Sequence, residues 1–361
     1  MPKKRTASVS PRPQRFFVKE LGGETPPSFE VMERLYGLAS DLFSLRPWRV
    51  LDEDNLIVVP DSVSGELCYC SIMGALGEVF SMHTYIGAEG LRQFRRMEAQ
   101  EIANPAEFFA FTHCLYVEFV PRAELRRQDR ELLAALGHPQ GRGLASPIFR
   151  TMRPGFLPWF VNEDEARTLA ECIRGVIEIC AAVATQENVK FWERANAYPM
   201  VTPMEGPEPR YHIEMFHFIL PPEPPVAPAR LAEETLLAVR GKNYAVRGVM
   251  ELDLTYSGAA IGKKGERNSC AAIAIAVDAE SGMVLAPEVS DSSVAAGDTL
   301  TKVFLKAIQT TRILPREVRV RSKKLRDSLT PLMESLGVAV RVARKLPACD
   351  EAISHLLGFL R

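Results

Sequence analysis

The last third of the chain, residues 245–361, combines strand and helix patterns in an order that few folds accommodate. Strand-like stretches at 248–256, 270–278 and 283–289 follow one another and predict an antiparallel meander. Helix and strand patterns then alternate, and a parallel neighbour in a sheet requires a helical crossover. This part therefore predicts a β-β-β-α-β-α-β-α order in one five-stranded sheet. Its last two strands, near 317 and 338, should run parallel to the first.

A proline-rich segment separates this region from the rest of the chain. Five of the nine residues in 221–229, "PPEPPVAPA", are proline, which favours an extended spacer. A length of 361 residues also suggests two domains. We therefore predict a disordered tail over 1–27, a domain over 28–220, a linker over 221–229 and a second domain over 230–361.

The first domain is predicted to be mixed α+β. Apolar residues recur every three or four positions after Ser28, which predicts a capped helix that ends at Pro47. Two later strands are joined by the short turn "MGALGE" and predict a hairpin. The stretch 141–160, which contains several Gly, Pro and aromatic residues, is predicted to be an ordered loop over the core. The alternative is that Arg142, Arg150 and Arg153, together with the aromatic residues between them, form a surface that binds bases or a protein.

Charge and cysteine usage indicate the compartment and the classes of partner. Residues 241–361 contain 18 Lys and Arg against 13 Asp and Glu, so an anionic partner is possible for this basic third. Seven cysteines without a C-x-x-C pair favour reduced thiols in a cytoplasmic protein. We see no secretory signal and no membrane-spanning segment, so we expect no membrane partner, and the sequence implies no small-molecule cofactor.

The element order of the last third, with Asp253 in its first strand, resembles the ribonuclease H-like fold of ribonuclease H, retroviral integrases and transposases. The resemblance implies a carboxylate on the first strand, a second after the fourth strand and a third on the last helix. Together these bind two divalent metals that activate water. Asp253 matches the first position, and Asp350 or Glu351 matches the third.

The second acidic position departs from that pattern. Arg321 and Ser322 follow the fourth strand, and a guanidinium cannot bind a cation. Ribonuclease H also has an acid on its first helix, where this chain offers Asp298, which helix capping explains more simply. The sequence therefore predicts that Asp253 is a relic or a structural ion-pair partner. We expect it to have at most one other carboxylate within metal-bridging distance, to lie nearer to Arg321 or another basic side chain, and to bind no metal. A Mg²⁺ requirement is expected only if the enzyme alternative holds.

The whole chain is also similar to uncharacterised bacterial proteins in which two domains of unknown function follow one another. That resemblance implies no activity. The residues that carry it share a "W…L…G…Y.G.EGL" pattern: Trp48, Leu51, Gly74, Tyr85, Gly87, Glu89, Gly90 and Leu91.

A basic segment over 316–326 is the remaining candidate site. Arginine and lysine at strand and helix spacing suit phosphate. The alternative is a solvated face with ion pairs to Glu317 and Asp327. The predicted nucleic-acid-binding residues are Arg319, Arg321, Lys323, Lys324 and Arg326.

These observations predict a non-catalytic binding module for nucleic acid or a protein partner, built on a degenerate ribonuclease H-like domain. The alternative is a metal-dependent nuclease or nucleotidyl-transferring enzyme that uses Asp253 with Asp350 or Glu351. A third hypothesis is a scaffold whose domains only assemble with a partner.

Overall fold

The chain folds into two α+β units, each built around its own sheet. The structure is a computed structural model, and it describes residues 13–102, 104–138, 145–185, 191–192, 194–204, 210–229 and 231–359.

The first unit precedes the proline-rich segment. Its helices are α1 (Phe29–Leu45), α2 (Gly87–Glu98), α3 (Pro105–Phe111), α4 (Arg127–Ala135) and α5 (Glu163–Thr185). Its strands are β1 (Ile57–Pro60), β2 (Leu67–Met73), β3 (Ser81–Ile86), β4 (Cys114–Pro121), β5 (Ala145–Met152), β6 (Ala197–Met204) and β7 (Arg210–His217). They form one sheet in the order β5-β4-β3-β2-β1-β6-β7.

Helices cover both faces of this sheet. The α1 and α5 helices pack against one face, and α1 begins where the Ser28 hydroxyl accepts a hydrogen bond from the Val31 amide. The α2 helix covers the other face through Leu91 and Phe94. The predicted Ser28 cap and the hairpin of β2 and β3 are confirmed.

The glycines of the "W…L…G…Y.G.EGL" pattern lie where neighbouring atoms leave little or no room for a side chain. A Cβ on Gly74 would come within 3.0 Å of Trp48 and 2.8 Å of Phe80, and one on Gly90 would lie 2.9 Å from the Tyr85 carbonyl carbon. Gly87 has a φ of +67°, which favours glycine. These residues shape the turn from β3 into α2 and the packing of Trp48, so the pattern serves the fold.

The predicted disordered tail is wrong over residues 13–27, and its first twelve residues lie outside the described part. Phe16, Phe17 and Leu21 are buried in the main core, and the Phe17 ring stacks on Phe160 at 4.4 Å between centroids. The basic and proline-rich composition of residues 1–27 hides these three apolar side chains, whose burial offsets the entropy of ordering the segment.

Two strands of the first unit are missed by the sequence patterns. The β5 strand lies within the stretch predicted as a loop, and it pairs with β4 along its whole length. The β6 strand contains Pro199 and Pro203, which argue against a central strand. It nevertheless lies between β1 and β7, with a single register contact to β1 and full pairing to β7.

The second unit follows the proline-rich segment. Its helices are α6 (Glu233–Arg240), α7 (Ala296–Thr311), α8 (Lys323–Ser335) and α9 (Pro347–Phe359). Its strands are β8 (Ala245–Val246), β9 (Val249–Ile261), β10 (Ser269–Asp278), β11 (Val284–Asp291), β12 (Ile313–Leu314), β13 (Glu317–Val320) and β14 (Ala339–Val342).

The predicted five-stranded sheet of this unit is confirmed. Its order is β11-β10-β9-β13-β14, with the first three strands antiparallel and with β13 and β14 parallel to β9. The α7 and α8 helices cover one face, and α9 covers β9 and β10 on the other. The short α6 and the small β8–β12 sheet are additions that the sequence patterns do not predict.

The proline-rich segment contacts both units and does not hold them apart. The Pro221 carbonyl accepts a hydrogen bond from Arg92 at 2.8 Å, and Ser328 of α8 donates to the Ala227 carbonyl at 3.1 Å. The two units also touch directly. The Gly155 carbonyl accepts from the Cys270 amide at 2.9 Å and from the Ser292 hydroxyl at 2.8 Å.

None of the helices in the described part of the chain combines the length and the apolar character needed to cross a bilayer. All seven cysteines are free and buried.

Candidate functional site

Three elements of the second unit bring Asp253, Arg321 and Asp350 together. Asp253 lies on β9, Arg321 follows the parallel neighbour β13, and Asp350 lies in the first turn of α9. The Arg321 Nη2 atom lies 2.6 Å from Asp253 Oδ2 and 2.7 Å from Asp350 Oδ1. Of the basic side chains expected near Asp253, Arg321 is the one that contacts it, and its guanidinium bridges two of the three candidate metal ligands.

Burial makes this ion pair asymmetric. The Asp253 side chain is 3% exposed and that of Arg321 is 39% exposed. Burial raises the pKa of Asp253, and the hydrogen bonds and positive charge of Arg321 only partly offset that effect. Hydrogen bonding to Asp253 in turn raises the pKa of Arg321. Asp253 Oδ1 is buried without a hydrogen bond to any described side chain, and Arg321 provides the largest compensation for the buried carboxylate.

The other acids near Asp253 do not complete a metal site. Glu251 lies on the same face of β9, but its Oε2 accepts a hydrogen bond from the Cys349 amide at 3.0 Å. Glu351 lines a separate shallow cavity with Ser281 and His355. Within the described residues, no group of three or more His, Cys, Asp or Glu side chains has metal-binding geometry.

Sequence reasoning overlooked Glu251, although its position was readable. It lies two residues before Asp253 and therefore on the same side of the strand. Its bond to Cys349 fixes the start of α9 beside Asp253. Glu251 is 2% exposed, so its side chain holds the helix start in place from within the fold.

The basic segment is largely neutralised by acids of the same chain. Arg319 donates to Glu317 at 2.8 Å, as the ion-pair alternative proposed, and Arg326 donates to its neighbour Asp327 at 2.6 Å. Lys324 forms an ion pair with Glu223 of the proline-rich segment at 2.8 Å. Within the described part of the chain, Lys323 is exposed and has no acidic partner.

The arginines of the aromatic segment are also engaged inside the fold. Arg150 forms an ion pair with Asp129 at 2.6 Å, and both side chains are at most 4% exposed. Arg153 contacts Glu24 at 2.6 Å and Glu165 at 2.8 Å. Arg142 lies outside the described residues. Arg150 and Arg153 therefore stabilise the first unit. Neither residue supports the alternative that this segment binds bases or a protein.

The first unit covers the sheet next to Asp253. Asn104, which caps α3, donates to the Tyr256 carbonyl at 2.7 Å and to the Thr255 hydroxyl at 3.2 Å. Thr255 is two residues from Asp253 and faces the same side of β9. A ligand that reaches the Asp253–Arg321 pair must therefore approach from the side of β13 and α9.

The comparisons with known proteins match both units to families without an assigned activity. Residues 33–200 match the model described as "Domain of unknown function (DUF7309)", and residues 238–357 match "Domain of unknown function (DUF6930)". No curated protein matches the chain. The function of both units is therefore unknown, and the resemblance to successive domains of unknown function is supported in that respect.

Proposed function

We propose that the protein is a non-catalytic, cytoplasmic binding module whose C-terminal domain is a degenerate ribonuclease H-like domain. The strand order β11-β10-β9-β13-β14 with its directions supports the fold assignment, as does Asp253 on the first strand of that domain. A bacterial origin remains a prediction. The partner is a nucleic acid or a protein, and the proposal involves no cofactor.

The observation that carries the proposal is the position of Arg321. Its guanidinium contacts both Asp253 and Asp350, so a cation already lies between the carboxylates that a metal would require. A divalent ion at this place would have to displace an arginine held by three hydrogen bonds. Catalysis by the two-metal route is therefore disfavoured here.

The enzyme alternative uses Asp253 with Asp350 or Glu351 and requires Mg²⁺. Glu351 faces a different cavity, which leaves this alternative with two carboxylates that share one arginine. The direct contacts between the two units support the scaffold alternative, because two domains in a fixed arrangement can offer a partner one binding surface composed of both.

A metal-dependent cleavage assay tests the proposal. Wild type and Asp253→Asn are incubated with mixed-sequence DNA and RNA in Mg²⁺ or Mn²⁺, and we expect the two proteins to give the same background. Metal-dependent cleavage that Asp253→Asn abolishes, in a variant whose circular dichroism is native, would refute the proposal and establish the nuclease alternative.

A further inference from the structure

Within the described part of the chain, no helix covers the sheet of the second unit at its β14 edge on the side that carries α9. The α9 helix packs on β9 and β10, and its buried contacts come from Ile273, Ile275 and Val277. The β13 and β14 strands lie beyond it at the end of the sheet. Val318 and Val320 point into the core under α7 and α8, so the alternate residues of β13 face the side that carries α9.

Arginines from the two strands lie side by side on this uncovered face. Arg319 pairs in register with Arg341 across parallel strands about 4.8 Å apart. Arg319 donates through Nε to Glu317 Oε1 at 2.8 Å, and Arg341 Nε forms an ion pair with Glu317 Oε2 at 3.0 Å. The Arg341 side chain is 73% exposed. One carboxylate thus orients two guanidinium groups and leaves the pair with a net positive charge.

Further exposed cations lie in the chain just before or after these two strands. Arg344 and Lys345 lie in the exposed loop between β14 and α9, and Arg316 is exposed just before β13. Lys323 begins α8, whose first turn contains no acid although a helix N-terminus disfavours cations. An anion bound here would remove that conflict. Arg316, Arg319 and Lys323 belong to the basic segment over 316–326. Arg341 lies on the parallel neighbour β14, and Arg344 and Lys345 follow it.

The chemistry of the face selects the partner. Residues 312–346 contain no Phe, Tyr, Trp or His, so the face offers no ring on which a base could stack. Guanidinium and ammonium groups bind phosphate oxygens, and such contacts give affinity without sequence preference. The face therefore suits the sugar–phosphate backbone of a nucleic acid.

We propose that the basic face formed by Arg316, Arg319, Lys323, Arg341, Arg344 and Lys345 binds nucleic acid through its backbone, independently of sequence. This inference rests on the proposed binding function and locates its site. It replaces the linear segment 316–326 as the interface, because Lys324 and Arg326 are directed to Glu223 and Asp327.

Two charge-reversed double variants of the full chain test the location. Arg344→Glu/Lys345→Glu alters the basic face, whereas Lys263→Glu/Lys264→Glu makes the same change in the exposed loop between β9 and β10. Affinity for a fluorescein-labelled mixed-sequence DNA and RNA is measured by anisotropy from 50 to 200 mM salt. We expect the first variant to bind at least about tenfold more weakly at 100 mM salt with a flatter salt slope, and the second to keep most of its affinity.

The outcomes separate this inference from the proposed function. Equal losses in both variants, or none in the first, would overturn the basic face while leaving the binding module intact. If the wild type does not bind at micromolar concentration, the proposed basic face is also overturned. The same holds if poly-glutamate of equal charge displaces the oligonucleotide with equal affinity. That last result would assign the face to acidic proteins. The proposed function fails by a different result, namely metal-dependent cleavage through Asp253.

Discussion

At the scale of single residues, a charged group inside the fold is tolerated only where a neighbour compensates it. Asp253 and Arg321 show this most directly, because the carboxylate is buried while the guanidinium reaches the surface. Removing one partner leaves the other uncompensated, whereas removing both costs less. The role of Asp253 in this fold is therefore structural in the first place.

We expect Arg321→Ala to lower the free energy of unfolding by about 2–3 kcal/mol. The value lies at the low end for a buried pair because Arg321 is 39% exposed. Urea unfolding measures the change, with Arg319→Ala as the control, since its exposed pair with Glu317 should contribute less than about 1 kcal/mol. Adding Asp253→Asn to Arg321→Ala should restore part of the loss, and an additive double variant would contradict the coupling.

His83 gives the molecule a pH dependence of its own. Burial lowers the pKa of His83 to about 4, and its ring lies 5.3 Å from that of Tyr116. As the pH falls, the His83 side chain of the unfolded protein binds a proton near pH 6.5, at a higher pH than the same side chain in the folded protein. Its contribution to stability is therefore complete above pH 6.5 and is lost as the pH falls through the interval down to about 4.

We expect unfolding free energies measured between pH 7 and pH 4.5 to fall by up to about 3 kcal/mol through His83. In His83→Gln this component should disappear, so the pH profile becomes flatter. His212→Gln serves as the control because that side chain is 59% exposed. A variant profile that remains parallel to the wild-type profile would exclude His83 as the source.

At the scale of elements, one turn of the first unit docks into the second. Gly155 follows β5 with a φ of +87°, and a Cβ there would lie 3.0 Å from the Ser293 amide nitrogen. Its carbonyl accepts two hydrogen bonds from the second unit, from Cys270 and Ser292. Neither the positive φ nor the close approach is compatible with a larger residue.

We expect Gly155→Ala to destabilise the protein by about 1–3 kcal/mol more than Gly282→Ala, because only the first substitution adds a clash to the backbone strain. Gly282 has a φ of +70° and nothing within 4 Å of its Cβ position. Thermal unfolding of both variants measures the difference. Equal shifts in the two would show that the turn can move away from Ser293 without cost.

At the scale of the whole molecule, the two units share hydrogen bonds that neither could satisfy alone. Asn104 Oδ1 caps α3 at the Ala106 amide while its Nδ2 donates to Thr255 and Tyr256 of the other unit. The Leu157 amide donates to the Asn268 carbonyl at 2.9 Å. Such backbone pairing couples the stability of two units more firmly than surface contacts do.

We expect calorimetry of the wild type to show a single transition and Asn104→Asp to lower its midpoint. The substitution keeps the capping oxygen but removes both donated bonds, which costs about 1–3 kcal/mol. Asn243→Asp makes the same change at an exposed position and should have little effect. Two separate transitions in the wild type would show that the units unfold independently.

The sequence by itself determined the elements whose periodicity is local. The order of the five main strands and of α7, α8 and α9 follows from alternating and three-to-four-residue patterns. Parallel neighbours also need a crossover, so the directions of these five strands could be predicted as well. The Ser28 cap and the β2–β3 hairpin rest on similarly short-range rules. A basic side chain beside Asp253 could be predicted because Arg321 follows the strand that runs parallel to the one carrying Asp253.

Only the tertiary structure decided features that depend on contacts distant in sequence. Pro199 and Pro203 read as strand breakers, yet β6 pairs along its length with β7 and needs only one register contact with β1. Phe16 and Phe17 look like part of a basic tail until the core that buries them is assembled. Arg341 joins Arg319 on one face because strand pairing brings residues 22 positions apart into register, a relation that no local pattern contains.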